Sequence, residues 1–200
     1  MLSYVRLALT TLFLSSTLAV ADPVTKWTFA GVTGKAGRIS GRDLQSNGLW
    51  TLGADGSFDL FNVLALQGDV NAGRTKINAS IDTRDAGVGV ALHLPIGGAI
   101  DLYAPLQYRY LRTDVDGSSD DQSGYLLGLG LRGMANEFVE YQLEVTHVDF
   151  GTDQGVSLDD QSVNANLRWH VSRLFSFAIG LEVTSETDRQ AFTGDFRFSF

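Results

Sequence analysis

The chain has 200 residues, no cysteine and a formal net charge of -8 at pH 7. Its length fits one domain, and the missing cysteines exclude disulfides, thiolate metal sites and cysteine nucleophiles. The acidic balance excludes nucleic acid as a partner, because a negative surface repels phosphate.

The N-terminus has the organisation of a secretory signal peptide. Arg6 supplies a positive charge, residues 7–18 form an apolar run, and residues 19–21 read Ala-Val-Ala, the small-x-small pattern that signal peptidase cuts. The run is too short to span a bilayer as a helix, which needs about 20 residues. We therefore predict that residues 1–21 are a cleaved signal peptide and that residues 22–200 form the exported domain.

Beyond this leader, apolar and polar residues alternate, which is the period-2 pattern of strands with two different faces. Ten such segments follow in chain order, and none of them resembles a helix. They cover residues 26–33, 50–60, 63–72, 88–94, 102–110, 125–132, 139–145, 163–171, 175–184 and 192–200. The first segment has the weakest pattern and the last has the clearest.

The connections between these segments alternate in length. Short links are predicted at residues 61–62, 95–99, 135–138 and 172–174, and longer polar loops at 34–48, 76–86, 114–123 and 151–161. Strands can cross a membrane only as a closed barrel, because every backbone polar group must be paired in hydrocarbon. We predict an all-β, ten-stranded antiparallel transmembrane β-barrel with its short turns in the periplasm, and eight strands as the main alternative.

The apolar face of each strand is expected to meet lipid. A soluble lipocalin-like barrel also alternates, but its apolar face turns inward. Here that face carries Phe, Trp, Tyr and Leu, which would overfill a narrow lumen, whereas the other face carries small and ionic residues. We therefore expect Leu129→Arg to cost about 2–4 kcal/mol and Gly130→Ser to be mild. Pro105 lies inside a strand and cannot donate to the ladder, so we expect a bulge there.

The terminal segment, Phe-Thr-Gly-Asp-Phe-Arg-Phe-Ser-Phe, resembles the C-terminal signature of outer-membrane proteins. Residues 49–200, with Gly-Tyr-Leu-Leu-Gly-Leu-Gly-Leu-Arg at 124–132, resemble compact porin-like outer-membrane β-barrel domains. The resemblance implies a place in the outer membrane of a Gram-negative bacterium. It implies outer-membrane lipid, lipopolysaccharide, the barrel-assembly machinery and small solutes as candidate partners. The residues that the assembly machinery is expected to read are Phe192, Phe196, Phe198 and Phe200.

Ionic residues on the polar face are expected to form a network in the lumen. They are Asp55, Asp59, Asp101, Arg109, Arg132, Glu140, Glu144, Arg168, Glu182, Asp195 and Arg197. Such a network forms either a polar pore or a paired plug. The plug is favoured, because barrels of about eight strands are filled by side chains whereas 16 to 18 strands leave a channel. His93 and His170 are expected to face the same lumen as hydrogen-bonding residues.

Evidence for catalysis is weak. His147 and Asp149 loosely resemble the His/Asp pair of outer-membrane proteases, with Asp114 and Asp116 as further carboxylates. However, the strand pattern changes phase between residues 145 and 148, and no serine motif accompanies any histidine. We predict no catalytic residue and no enzyme activity. A barrel hydrolase acting on lipid A or peptide remains one alternative, and a soluble periplasmic carrier another.

Two clusters of aspartates in the predicted loops offer oxygen ligands of the kind that Ca²⁺ or Mg²⁺ binds. They are Asp114, Asp116, Asp120 and Asp121 in one loop, and Asp153, Asp159 and Asp160 in another. Their spacing does not match an EF-hand, so solvated acidic loops are expected, with no metal and no cofactor. The sequence thus predicts a non-enzymatic outer-membrane barrel with a structural role, a surface-interaction role or a narrow passage for small solutes.

Overall fold

A computed structural model describes residues 27–41, 44–76, 80–96, 99–153, 156–185 and 189–200. The strands are β1 (Phe29–Gly41), β2 (Leu44–Asp59), β3 (Leu64–Lys76), β4 (Ser80–Ile96), β5 (Ile100–Val115), β6 (Ser118–Met134), β7 (Val139–Asp153), β8 (Val156–His170), β9 (Phe175–Thr184) and β10 (Arg189–Ser199). Each strand pairs antiparallel with the next, and β1 pairs with β10 to close a barrel. The ten-stranded prediction is confirmed, and the eight-stranded alternative is wrong. In the part of the chain that the structure describes, no helix is long and apolar enough to cross a bilayer.

The two ends of the barrel differ. At one end, which we call the terminal end, residue 27 and Phe200 lie beside short links at residues 60–63, 135–138 and 171–174. These links confirm the short turns predicted from the sequence. The opposite end, which we call the distal end, carries the connections that were predicted to be long loops. The predicted signal peptide lies outside the described residues.

The prediction of long distal loops is wrong, because the strands continue through most of their residues. β1 runs to Gly41 rather than ending near residue 33, and β4 already begins at Ser80. Between β5 and β6 the turn is only Asp116 and Gly117, with φ angles of 48° and 87°, as a two-residue type I′ hairpin requires. Past the apolar band both faces of a strand are polar, so the sequence alternation disappears while the backbone hydrogen bonds continue.

The predicted orientation of the two faces is confirmed. Leu129, Phe177 and Phe196 point outward and are 65%, 42% and 49% exposed, whereas Arg132 and Glu182 point inward and are 4% and 3% exposed. An apolar outer surface of this extent is a lipid-facing surface. The four phenylalanines of the terminal signature lie on this outer face, exposed, on β10 or immediately after it.

The strand irregularities differ from those expected. The register between β5 and β6 is the same on both sides of Pro105, so the predicted bulge is absent. Only residues 104 and 105 lack a partner on β6. The missing N–H of the proline therefore interrupts the ladder at this one place. Register shifts occur instead between Ile39 and Gly41 and between Asp149 and Thr152. The phase change expected near residue 146 is also absent.

Candidate functional site

The lumen is the candidate site, because strand alternation turns every ionic residue of the predicted network toward it. These residues do not form one continuous chain of contacts. The structure brings most of them together in four groups of ion pairs and hydrogen bonds.

The first group, at the terminal end, centres on Glu140, the most deeply buried acidic residue. Its carboxylate lies 3.0 Å from Arg132 Nη2 and 3.1 Å from His170 Nε2. The Arg132 guanidinium lies 4.7 Å from the centroid of the Trp27 ring, on its face. Glu140 and Arg132 are 1% and 4% exposed, so the ion pair between them offsets part of the cost of burying their charges.

Trp27 inserts into the terminal end of the lumen from just before β1. Its ring stacks on His93 with centroids 4.5 Å apart, and its Nε1 donates a hydrogen bond to Asp101 at 3.1 Å. Asp59 lies 3.5 Å from the Nε2 of the same histidine. The sequence analysis placed Trp27 in the weakly patterned first segment and assigned it no face, whereas in the structure it lies two residues before β1 and on the same inward side as Phe29.

The second group joins β1, β2, β8 and β10. Arg168 bonds to Asp195, and Arg197 lies 3.4 Å from both Asp195 and Asp55. The hydroxyl of Thr33 lies 3.0 Å from the Asp55 carboxylate and 3.2 Å from that of Asp195. Alternating charges around this ring neutralise one another, which is the arrangement expected of a paired plug.

The third and fourth groups, toward the distal end, centre on Arg109 and on Glu182 and contain residues that the sequence analysis missed. Arg109 donates to Asp69 at 2.8 Å and also to Asp85. Glu182 accepts from Lys35 at 2.5 Å and from Arg189. Asp85 could have been found, since it continues the inward series of Gly87 and Gly89 on β4, but residues 76–86 were assigned to a loop.

Glu144 stands apart from these groups and is held by Tyr103, whose hydroxyl donates to it at 2.7 Å. The Tyr103 ring lies against Gly130, where an added Cβ would be only 2.2 Å from the ring Cζ. The expectation that Gly130→Ser is mild is therefore wrong. Sequence alternation showed that Gly130 faces the lumen, but not that a ring already fills the space.

Between the groups lies a polar cavity of about 190 Å³. Arg132 and Arg197 line it together with Asp55, Asp69 and Glu144. A cavity of this size has room for several water molecules. Its polar lining is able to hold water or small ions.

The residues considered for catalysis lie outside the lumen and do not form a common site. His147 and Asp149 are on the outer face of β7. The Asp149 carboxylate accepts from the Gly151 backbone N–H at 2.6 Å, and that of Asp114 lies 3.4 Å from Arg112 Nε. Among the residues that the structure describes, no three metal-binding side chains come together.

Comparisons with known proteins agree with this architecture. Residues 7–170 match the family model described as the outer membrane protein beta-barrel domain. No curated protein matches the chain in sequence.

Several solved structures are similar in fold. An outer membrane channel from Pseudomonas putida F1 has a TM-score of 0.59 and 10% identity, over 92% of this chain and 99% of that one. The β domain of the Bordetella autotransporter BrkA has a TM-score of 0.52 and 10% identity, over 86% and 99%. The NanC porin has a TM-score of 0.52 and 11% identity, over 84% and 98%. At such identities the likeness shows the fold alone.

Proposed function

The chain belongs to the outer membrane protein beta-barrel domain family, and on that premise we propose that it is a non-enzymatic envelope protein with a plugged resting lumen. In this role the barrel wall and the surfaces it offers to lipid and to the exterior carry the function. Placement in a Gram-negative outer membrane, removal of residues 1–21 and recognition of the terminal phenylalanines by the assembly machinery are parts of the same proposal.

The position of Trp27 is the observation that carries the proposal. The ring is 5% exposed and is held by a stack on His93, a hydrogen bond to Asp101 and the guanidinium of Arg132. Three independent contacts on one aromatic side chain favour a ring that is fixed in the lumen over one that moves in and out of it. Above it, the pairs of Arg109 with its two aspartates narrow the lumen again.

Narrow passage of ions or small solutes is the second candidate. The cavity of about 190 Å³ favours it, because hydrated polar space inside the barrel is the first requirement of a conducting path. Movement of Trp27 would join that space to the terminal end. The two candidates therefore differ in one testable property, the fraction of time for which the lumen is closed.

The remaining alternatives have less support. A soluble carrier needs an apolar lumen, and this lumen is lined by ion pairs while the large apolar side chains face outward, so that alternative is wrong. A hydrolase based on His147 would need a carboxylate to orient the imidazole, and the carboxylates of Asp149 and Asp114 bond to other groups. Hydrolysis of lipid A or peptide by the unaltered barrel that is lost on His147→Ala would be needed to support this alternative.

Planar-bilayer recording tests the plug. We expect the unaltered protein to be closed for most of the recording time and Trp27→Ala to raise its open probability. Trp50→Ala is the matched control, because Trp50 is a 53% exposed residue of the outer face. Steady conductance from the unaltered protein, or equal effects of the two substitutions, would refute the plug. A heat-modifiable shift in gel mobility establishes that each variant has folded as a barrel.

A further inference from the structure

The outer surface of β2 to β5 contains an apolar groove of about 520 Å³. The small residues Ala54, Gly68 and Ala86 line it, and Tyr108 and Tyr110 border it. All these side chains belong to the outward series of their strands, so the groove opens toward the membrane rather than toward the lumen. A recess of this kind in a lipid-facing wall is filled by acyl chain.

Two arginines face each other directly above the groove. Ala86 pairs with Tyr110 in the ladder, and the next outward pair toward the distal end is Arg84 with Arg112. Arg84 is exposed, and the Arg112 side chain is 40% exposed. Every outward residue of β5 from position 102 to position 110 is apolar or aromatic. The arginine pair is therefore the first charged position above the apolar band, at the height of lipid headgroups.

Like charges directly opposite each other on adjacent strands are destabilising unless something neutralises them. Arg112 has weak partners, with its Nε 3.4 Å from Asp114 and 3.9 Å from Asp121. Within the described residues, the side chain of Arg84 makes no ion pair. Asp82, which could approach it, is taken by Arg74 through contacts of 2.5 Å and 2.8 Å.

Asp82 is thus bonded to Arg74, although its charge also acts on Arg84 from a greater distance. The site as a whole thus combines an apolar groove with a pair of guanidinium groups that its own carboxylates do not fully neutralise. Guanidinium groups bind phosphate oxygens through paired hydrogen bonds, and two of them at one spot match a phosphorylated headgroup.

We infer that this groove is a binding site for lipid A, with an acyl chain in the groove and a phosphate on Arg84 and Arg112. The distal end of the barrel faces the cell exterior if the short turns are periplasmic, so the arginine pair meets the outer leaflet, where lipopolysaccharide is the phosphorylated lipid. The inference is independent of whether the lumen conducts.

Native mass spectrometry of the purified full-length mature barrel, titrated with lipid A, tests the site. We expect the double variant Arg84→Gln/Arg112→Gln to bind lipid A about tenfold more weakly or worse, because two charged contacts are lost. Arg38→Gln, which removes an exposed arginine of β1 whose ladder partners are Gly48 and Gln190, should leave the affinity unchanged.

Filling the groove provides a second, uncharged test. Gly68→Leu places a side chain into the groove, and its Cβ meets nothing closer than the Gly87 carbonyl oxygen at 3.5 Å, so the fold tolerates it. We expect it to weaken lipid A binding, whereas Gly34→Leu, on the outer face of β1 with open space around it, should not. Heat-modifiable mobility shows that both variants fold.

Two further ligands distinguish the source of the phosphate. Lipid A without its phosphates should bind about tenfold more weakly to the unaltered protein, and phosphatidylglycerol should bind more weakly than lipid A. Equal binding of the dephosphorylated lipid, or an unchanged affinity in the double arginine variant, would overturn the site. Equal binding of phosphatidylglycerol would overturn the assignment to lipid A.

Discussion

Removing the charge of Glu140 from the first group, at the terminal end, should destabilise the barrel strongly. Glu140 is 1% exposed and contacts both Arg132 and His170, so Glu140→Gln removes the buried negative charge that both side chains approach. Breaking a buried ion pair from one side costs about 3–5 kcal/mol. The amide oxygen of Gln can still accept one hydrogen bond, so we expect a loss near the lower limit, about 3 kcal/mol.

The assay is reversible urea unfolding of the barrel in lipid vesicles, with Asp82→Asn as the matched control. Asp82 also pairs with an arginine, but both side chains are exposed, so its neutralisation should have no resolvable effect. Arg132→Met should cost less in the Glu140→Gln background than alone, because each partner's desolvation is compensated by the other. Equal tolerance of the two neutralisations would refute the view that the first group is a buried, paired plug.

Four further predictions concern the wall and the chain ends. Leu129→Arg, on the lipid face, should cost about 2–4 kcal/mol in the same unfolding assay; a loss below that range would mean that this face does not contact acyl chains. Gly130→Ser should also destabilise, because its Cβ meets the Tyr103 ring, and Tyr103→Ala in the same chain should restore part of the loss; no recovery would contradict the collision. Intact mass measurement of the exported protein should give a chain beginning at Asp22, and any other start would reject the predicted cleavage. Deleting Phe200 should lower the yield of heat-modifiable barrel in cells without preventing refolding in detergent, and a defect in both would assign the residue to stability instead of assembly.

The strands of the apolar band could be predicted from the sequence because lipid imposes a simple rule on them. A residue that faces acyl chains must be apolar, and its neighbour faces a polar lumen, so period-2 alternation directly records the orientation. This rule placed Leu129 outside and Arg132 inside, and it placed the ionic residues of β7 to β10 in the lumen. Outside the band the rule no longer operates, which is why the distal ends of β4, β5 and β6 were mistaken for loops.

The partners inside the lumen could not be predicted in the same way. Asp69 and Asp85 meet Arg109 from two other strands, and their approach depends on the register between strands. A single sequence carries the pattern of each strand but not the offset between strands. The same limit applies to Arg84 and Arg112, which become a pair only through the register of β4 with β5.

The amino-acid sequence by itself determined the class of fold, the number of strands and the face that each strand of the apolar band turns to lipid, because these follow from local periodicity and from the need to pair every backbone group in hydrocarbon. The tertiary structure alone decided how the lumen is closed, since Trp27 enters it from outside any strand and its contacts with His93, Asp101 and Arg132 join residues far apart in the chain. Closure of a barrel brings such residues together in space, and the local pattern of a strand does not record which distant residues will meet.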